Sequence, residues 1–454
     1  MHRFHVRIAV SLAVGLLALY PAVAAATRVG QPAANALAAA PKSGASELRV
    51  LVDRTLGEHA FLTVQAMRTG VRGGADFAAA AEALEENTSE LQAVITSAYG
   101  EAGGEAFGEL WRTHLGYIVD YAVASSKSDE DGKETAAEGL EKYQKDFSEF
   151  LASANPNLTE EAVSDLLGEH VTQLQQIGQF INSDFPKAYA TAREMYTHMF
   201  DVGDALAGAI AKQFPDDFTR PDIARGPAAD LRVALDKVLG EHTFLSVEAM
   251  RAGLAGDTEE FEAARGALDG NSSDLTSAIG KIYGEEAEGP FGTLWAAHIG
   301  YYIDYIQALR DEDEAAAESA REQLAAYGEK FGEFLAKANP NLEAAAVQEL
   351  VDSHTGHLLA QVDEYAAADY PGAYAVGREA YAHSLVLSDA LATAIAKQFP
   401  DIYPDLPDTA TDAIPTDESG SAPWAAIFAA SALVGVATTV VARRRQPRPR
   451  RSTA

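Results

Sequence analysis

The chain has 454 residues, 47% of them hydrophobic, no cysteine, and a formal net charge of −32 at pH 7. Without cysteine there are no disulfides, thiolate metal sites, iron–sulfur clusters or covalently attached c-type haem, so stability rests on a packed core. The acidic balance repels nucleic acid and anionic headgroups and attracts cations and basic protein partners, which sets nucleic-acid binding aside.

Residues 1–26 read as a secretory signal peptide. Basic MHRFHVR is followed by an apolar run from Ile8 to about Val23 and by the small-residue stretch AVAAAT. Residues 27–46, rich in Ala, Pro and Ser, form a flexible leader. Two copies of one unit follow, repeat 1 over 47–218 and repeat 2 over 230–401, joined by a linker at 219–229. LRVLVDRTLGEHAFLTVQAMRTG at Leu48 returns as LRVALDKVLGEHTFLSVEAMRAG at Leu231, and FLASANPNL at Phe150 as FLAKANPNL at Phe334. The offset drifts only from 183 to 185 residues, which is one tandem duplication.

Each copy has apolar residues at three and four spacing, as in Val52, Leu56, Leu62 and Ala66, and no stretch alternates with period two. Breaks are expected at Gly70–Gly74, Gly100–Gly104, Ser125–Gly132, Asn155–Asn157 and Phe185-Pro186, with Asn157 or Thr159 capping a helix start. The expected fold is all-α: two tandem copies of an antiparallel, four-helix-bundle-like domain with about six segments each.

An acidic, proline-bearing linker is expected over 402–423. It contains LPDTA at Leu406–Ala410, which has the form of a sortase signal but stands about a dozen residues too far upstream of the next apolar run, with Ala in place of Gly. Residues 424–442 carry no charge and reach roughly the ~30 Å thickness of a bilayer core, and the Arg-rich tail 443–454 follows. Positive charge stays on the cytoplasmic side. The expectation is a single-pass type I protein of the cell membrane, held by its C-terminal transmembrane helix, with both repeats on the extracellular side and a charge of about −40 between its basic ends.

Eight of the eleven histidines pair across the repeat: His59 with His242, His114 with His298, His170 with His354, and His198 with His383. The first three pairs lie on apolar stripes and point towards the core. Glu194 and Glu379 stand one turn before His198 and His383, on the same helical face. Four inward imidazoles on separate segments are how helical bundles build metal centres. Without thiolate, such a nitrogen-rich site suits copper or zinc, or iron if Glu194 and Glu379 join as ligands. Met67 and Met250, two turns after the first histidine, offer thioether to Cu(I) or simply pack the core. A His pair on facing helices could instead hold haem b axially. The architecture loosely resembles that of ferritin-like helical metal proteins. No Glu-x-x-His pair occurs on two helices, so no diiron ligand set carries over.

Three readings stay open. One is a cell-surface protein that binds a transition metal, copper favoured, for capture or buffering. A second is a non-enzymatic acidic helical binding or spacer module whose histidines are structural, satisfied by Tyr117, Tyr121, Asp120 or Glu58. The third is a haem b redox protein. No phosphate loop, nucleophile elbow or HExxH helix points to an enzyme.

Overall fold

The computed structural model describes residues 44–218 and 225–404. The expected signal peptide, nearly all of the expected leader, part of the inter-repeat linker, most of the acidic linker with LPDTA, the C-terminal apolar run and the Arg-rich tail lie outside them. Among the described residues no helix is long and apolar enough to cross a membrane.

Eleven α-helices and no strands are present among the described residues. Repeat 1 holds α1 (Ala45–Arg72), α2 (Phe77–Ser126), α3 (Glu130–Ala154), α4 (Glu160–Phe180) and α5 (Phe185–Gln213). Repeat 2 holds α6 (Pro227–Ala255), α7 (Thr258–Tyr283), α8 (Glu285–Arg310), α9 (Glu314–Ala338), α10 (Ala344–Ala366) and α11 (Tyr370–Gln398). The different helix number comes from one glycine. Gly100, at φ +75°, kinks α2 without ending it, while its counterpart Gly284, at φ +91°, separates α7 from α8. That backbone region is open to Gly at no steric cost.

The other breaks have local causes. The chain leaves α1 through left-handed Gly73, with the amides of Gly73 and Gly74 closing onto the carbonyls of Gly70 and Thr69. Asp129, Thr159, Asp184, Asp257, Asp313 and Asp369 each accept a backbone N–H two or three residues into the helix that follows. Of the two expected caps near Asn157, Thr159 is the one used. Asn157 instead donates to Asn155 and to the Ala209 carbonyl on α5.

Within each repeat consecutive helices pack side by side, and the last returns against the first: α5 on α1, and α11 on α6. The first helix of each copy is buried nearly all round, because its other side meets the opposite repeat. Equivalent residues meet each other there. Phe61 packs edge-on against Phe244 at 5.1 Å, and the hydroxyls of Tyr196 and Tyr381 lie 3.1 Å apart. The ion pairs repeat with the roles exchanged. Arg49 holds Asp204 and Asp230, and its counterpart Arg232 holds Asp389 and Glu47. Arg193 holds Glu241 and Asp274, and Arg378 holds Glu58 and Glu90. This is the pattern of an isologous, two-fold interface, built here inside one chain. It gives Asp204 and Asp389, which look like helix-terminal or surface acids in the sequence, an interface role.

Arg54 lies at this interface, with two contacts to Asp236, at 2.8 and 2.9 Å, and two to Asp389. Asp236 is fully buried. Replacing Arg54 by Met leaves that carboxylate buried with its main partner gone, which is expected to cost about 3–5 kcal/mol. The midpoint of urea unfolding measures it, and an unchanged midpoint would show that the pair contributes nothing.

Candidate metal centre

His59 lies midway along α1, His114 in the second half of α2 and His170 in α4. All three are buried, at 0%, 1% and 3% exposure. Ligand atoms from the three rings fall within 4.8 Å of one another. Around a first-row ion with bonds of about 2.0–2.1 Å, neighbouring imidazole nitrogens stand roughly 3.3–3.6 Å apart. The triad therefore needs to close by about 1 Å, a matter of side-chain rotation. In repeat 2 the Nε2 atoms of His242, on α6, and His298, on α8, are already 3.5 Å apart. The third ring, His354 on α10, has its centroid 5.7 Å from that of His242, close to the 6.0 Å between His170 and His59.

The walls also repeat. Tyr143 stacks on His114 at 4.7 Å and Tyr327 on His298 at 4.8 Å. Trp111 and Trp295 meet the same two histidines edge-on at 4.7 and 4.5 Å, and each Trp is backed by a stacked Phe, Phe107 or Phe291. The stacked tyrosines line the candidate site, and helical spacing does not single them out. They come from α3 and α9, and only tertiary packing brings them under the imidazoles.

Inside these walls the imidazoles are short of partners. Neither ring nitrogen of His59 or His170 has a hydrogen bond, and His114 has none beyond a weak interaction with the Trp111 carbonyl one turn back. Two of the acids that could have satisfied them do not. Glu58 takes Arg378 and the amide of Asn87, and Asp120 is exposed. Asn87 reaches across from α2 to Glu58 and to the Thr55 carbonyl, as Asn271 does to Glu241 and Val238.

Burial and, after it, neighbouring imidazoles push His59, His170 and His242 well below the usual histidine range. Burial drives His114 and His354 down to about 3 and His298 to about 4. At neutral pH each ring therefore keeps a lone pair, the state that binds metal. Most buried polar groups in proteins are hydrogen-bonded, and leaving one unpaired costs about 1–3 kcal/mol. Three such rings gathered at one point fit a metal ion, whose bonds supply what the protein withholds.

A cavity of about 60 Å³ adjoins His114 and His170, bordered by Trp111, Tyr143, Leu167 and Met199. Its counterpart beside His242, His298 and His354 is about 10 Å³. Either accommodates an ion. Neither approaches the roughly 300 Å³ or more of a site for a larger organic ligand, so a porphyrin between these rings would require the bundle to open.

The fourth pair and its neighbouring acids sit differently. His198 turns its Nε2 to the Leu166 carbonyl at 2.8 Å, and His383 to Leu350 at 2.9 Å, tying the last helix of each repeat to the one before it. Both lie beside the triads without belonging to the convergent group of His59, His114 and His170. Glu194 and Glu379 are exposed, and Glu379 faces His357 at 4.0 Å rather than the buried rings. The carboxylate contribution that would favour iron is thus absent from the triad as it stands. Met67 and Met250 are fully buried and border neither cavity, whereas Met199 does.

Comparison with protein-family models, curated proteins and solved structures found no match.

Proposed function

We propose that this chain binds a transition metal, copper above zinc or iron, through buried imidazole triads, and that it captures or buffers the ion at the outer face of a cell membrane. One observation carries the reading: His59, His114 and His170 are buried and convergent, with ring nitrogens short of protein partners. A second histidine triad in similar aromatic surroundings supports it. Closed surroundings favour retention of an ion over turnover of a substrate. The signal-like N-terminus, the apolar run 424–442 and the Arg tail support export and anchoring. The acidic surface would draw cations towards the membrane face, or a basic protein partner.

Metal analysis of the purified full chain tests this, with His114→Ala and His298→Ala as the variants. Each variant is expected to lose the metal of its own repeat and keep the other. A stoichiometry that neither substitution changes would leave the triads as core histidines and sink the proposal.

A further inference from the structure

The two sets of histidines are equivalent in sequence, but only His59, His114 and His170 bring ligand atoms within 4.8 Å of one another, and the sets differ in what stands beside them. His198 and His383 are equivalent, so the next residue, Met199 in repeat 1, corresponds to Ser384 in repeat 2. One turn along from Gly57 and Gly240, Ala60 in repeat 1 corresponds to Thr243 in repeat 2. In repeat 2 these residues form a hydroxyl relay. Thr243 Oγ1 lies 2.6 Å from Ser384 Oγ, which lies 3.3 Å from His354 Nδ1 and donates to the Ala380 carbonyl at 3.0 Å. Ser384 Oγ and His354 Nδ1 are hydrogen-bond partners, whichever of the two carries the proton. One ring of that triad is thus already satisfied by protein. In repeat 1 Met199 and Ala60 offer no hydroxyl, and the His170 nitrogens are bare.

Charge then selects the ion. No carboxylate belongs to the convergent group, and Glu194 lies exposed. Three neutral imidazoles leave the ion's full charge inside a low-dielectric core. The desolvation cost grows with the square of that charge, so a monovalent ion costs about a quarter of what a divalent one does. Thioether is a soft ligand that selects Cu(I), and Met199 borders the same cavity as His114 and His170. The position of Ser384 against His354 shows that a side chain at this register reaches the third histidine.

Building on the metal-binding reading, we propose that repeat 1 is a cuprous site, with His59, His114 and His170 as nitrogen ligands and the Met199 thioether as the fourth. The repeat 2 triad, with Ser384 and Thr243 in place of that soft ligand, binds Cu(I) more weakly and fills second. Binding is a ligand addition with no electron transfer; copper enters as Cu(I).

The test is anaerobic titration of the full chain with Cu(I) against a chromogenic Cu(I) chelator, and in parallel with Zn(II). The expected result is one equivalent of Cu(I) held at least tenfold more tightly than the second. His114→Ala should remove the tight equivalent and His298→Ala the weak one. Met199→Leu, which keeps the packing volume, should weaken the tight equivalent tenfold or more, remove the sulfur signal from copper X-ray absorption, and leave Zn(II) affinity within twofold. Two equivalents of equal Cu(I) affinity, or a Met199→Leu protein indistinguishable from wild type, would overturn this inference while metal binding itself stood. A chain that took up neither Cu(I) nor Zn(II) would overturn both.

Discussion

Acidifying the metal-free chain from pH 7 towards pH 4.5 should unfold it. An unfolded histidine titrates near 6.5, whereas native His114 and His354 are held down to about 3 and His298 to about 4. Below pH 6.5 the unfolded chain binds protons at these positions that the native core refuses, so stability falls with pH over the window between the two values. At pH 4.5 the difference is about 2.7 kcal/mol for each of the three, or about 8 kcal/mol together, at 1.36 kcal/mol per pH unit. His59, His170 and His242 shift in the same direction.

Buried carboxyls act against this. Asp53 is pushed up to about 9, mainly by burial, so its contribution is full at low pH and lost as pH rises. It restores about 3 kcal/mol between pH 7 and 4.5, and Asp236 and Glu248 shift in its sense. The roughly 8 kcal/mol of His114, His298 and His354 exceeds the roughly 3 kcal/mol of Asp53, and the difference is a large part of a usual 5–15 kcal/mol stability. Circular dichroism of the chelator-treated chain should show an acid midpoint above about pH 4.5, and added metal should move it lower. Helicity unchanged down to pH 4 would mean that the rings are solvated or protonated in the fold.

The second large effect runs against ordinary expectation for core substitutions. Replacing His59 and His114 together by Leu should stabilise the metal-free chain while abolishing metal uptake in repeat 1. Four buried ring nitrogens would disappear with no protein partner left behind, apart from the weak interaction of His114 with Trp111. Removing unsatisfied polar atoms of similar volume is neutral or favourable, because an unpaired buried group costs about 1–3 kcal/mol. A gain of about 2–4 kcal/mol in urea unfolding is expected for the pair. Structural histidines, held by hydrogen bonds, would give a loss instead. A site that keeps its protein less stable than it could be is the usual signature of function.

Much of the fold is legible along the chain because helices announce themselves locally. The Gly70–Gly74 and Gly100–Gly104 breaks, the Asn155–Asn157 stop and the Thr159 cap all depend on residues within one turn. The burial of His59, His114 and His170 follows from apolar stripes, which give direction. Spacing gives no depth, however, and it cannot tell His198 from the other three. That ring lies one helix face away, where the Leu166 carbonyl takes its Nε2. Glu194 shares a face with His198, but that pairing leads towards solvent, because His198 itself stands at the edge of the core. Tyr143, Met199 and the Thr243–Ser384 relay were out of reach for a different reason. Tyr143 and Ser384 reach His114 and His354 from a different helix, and one copy differs from the other at positions 199 and 384.

The exchange of roles across the interface between the repeats, Arg49 with Asp230 against Arg232 with Glu47, bears on how such differences can persist. In a symmetric pair of identical chains every substitution is written twice, so the two halves cannot acquire different ligands. Joined end to end, the halves keep the shared contact surface and lose that obligation. A thioether can enter one core and a hydroxyl the other with Phe61 and Phe244 still meeting face to edge between them. The tandem chain thus holds one scaffold open to two ligand chemistries.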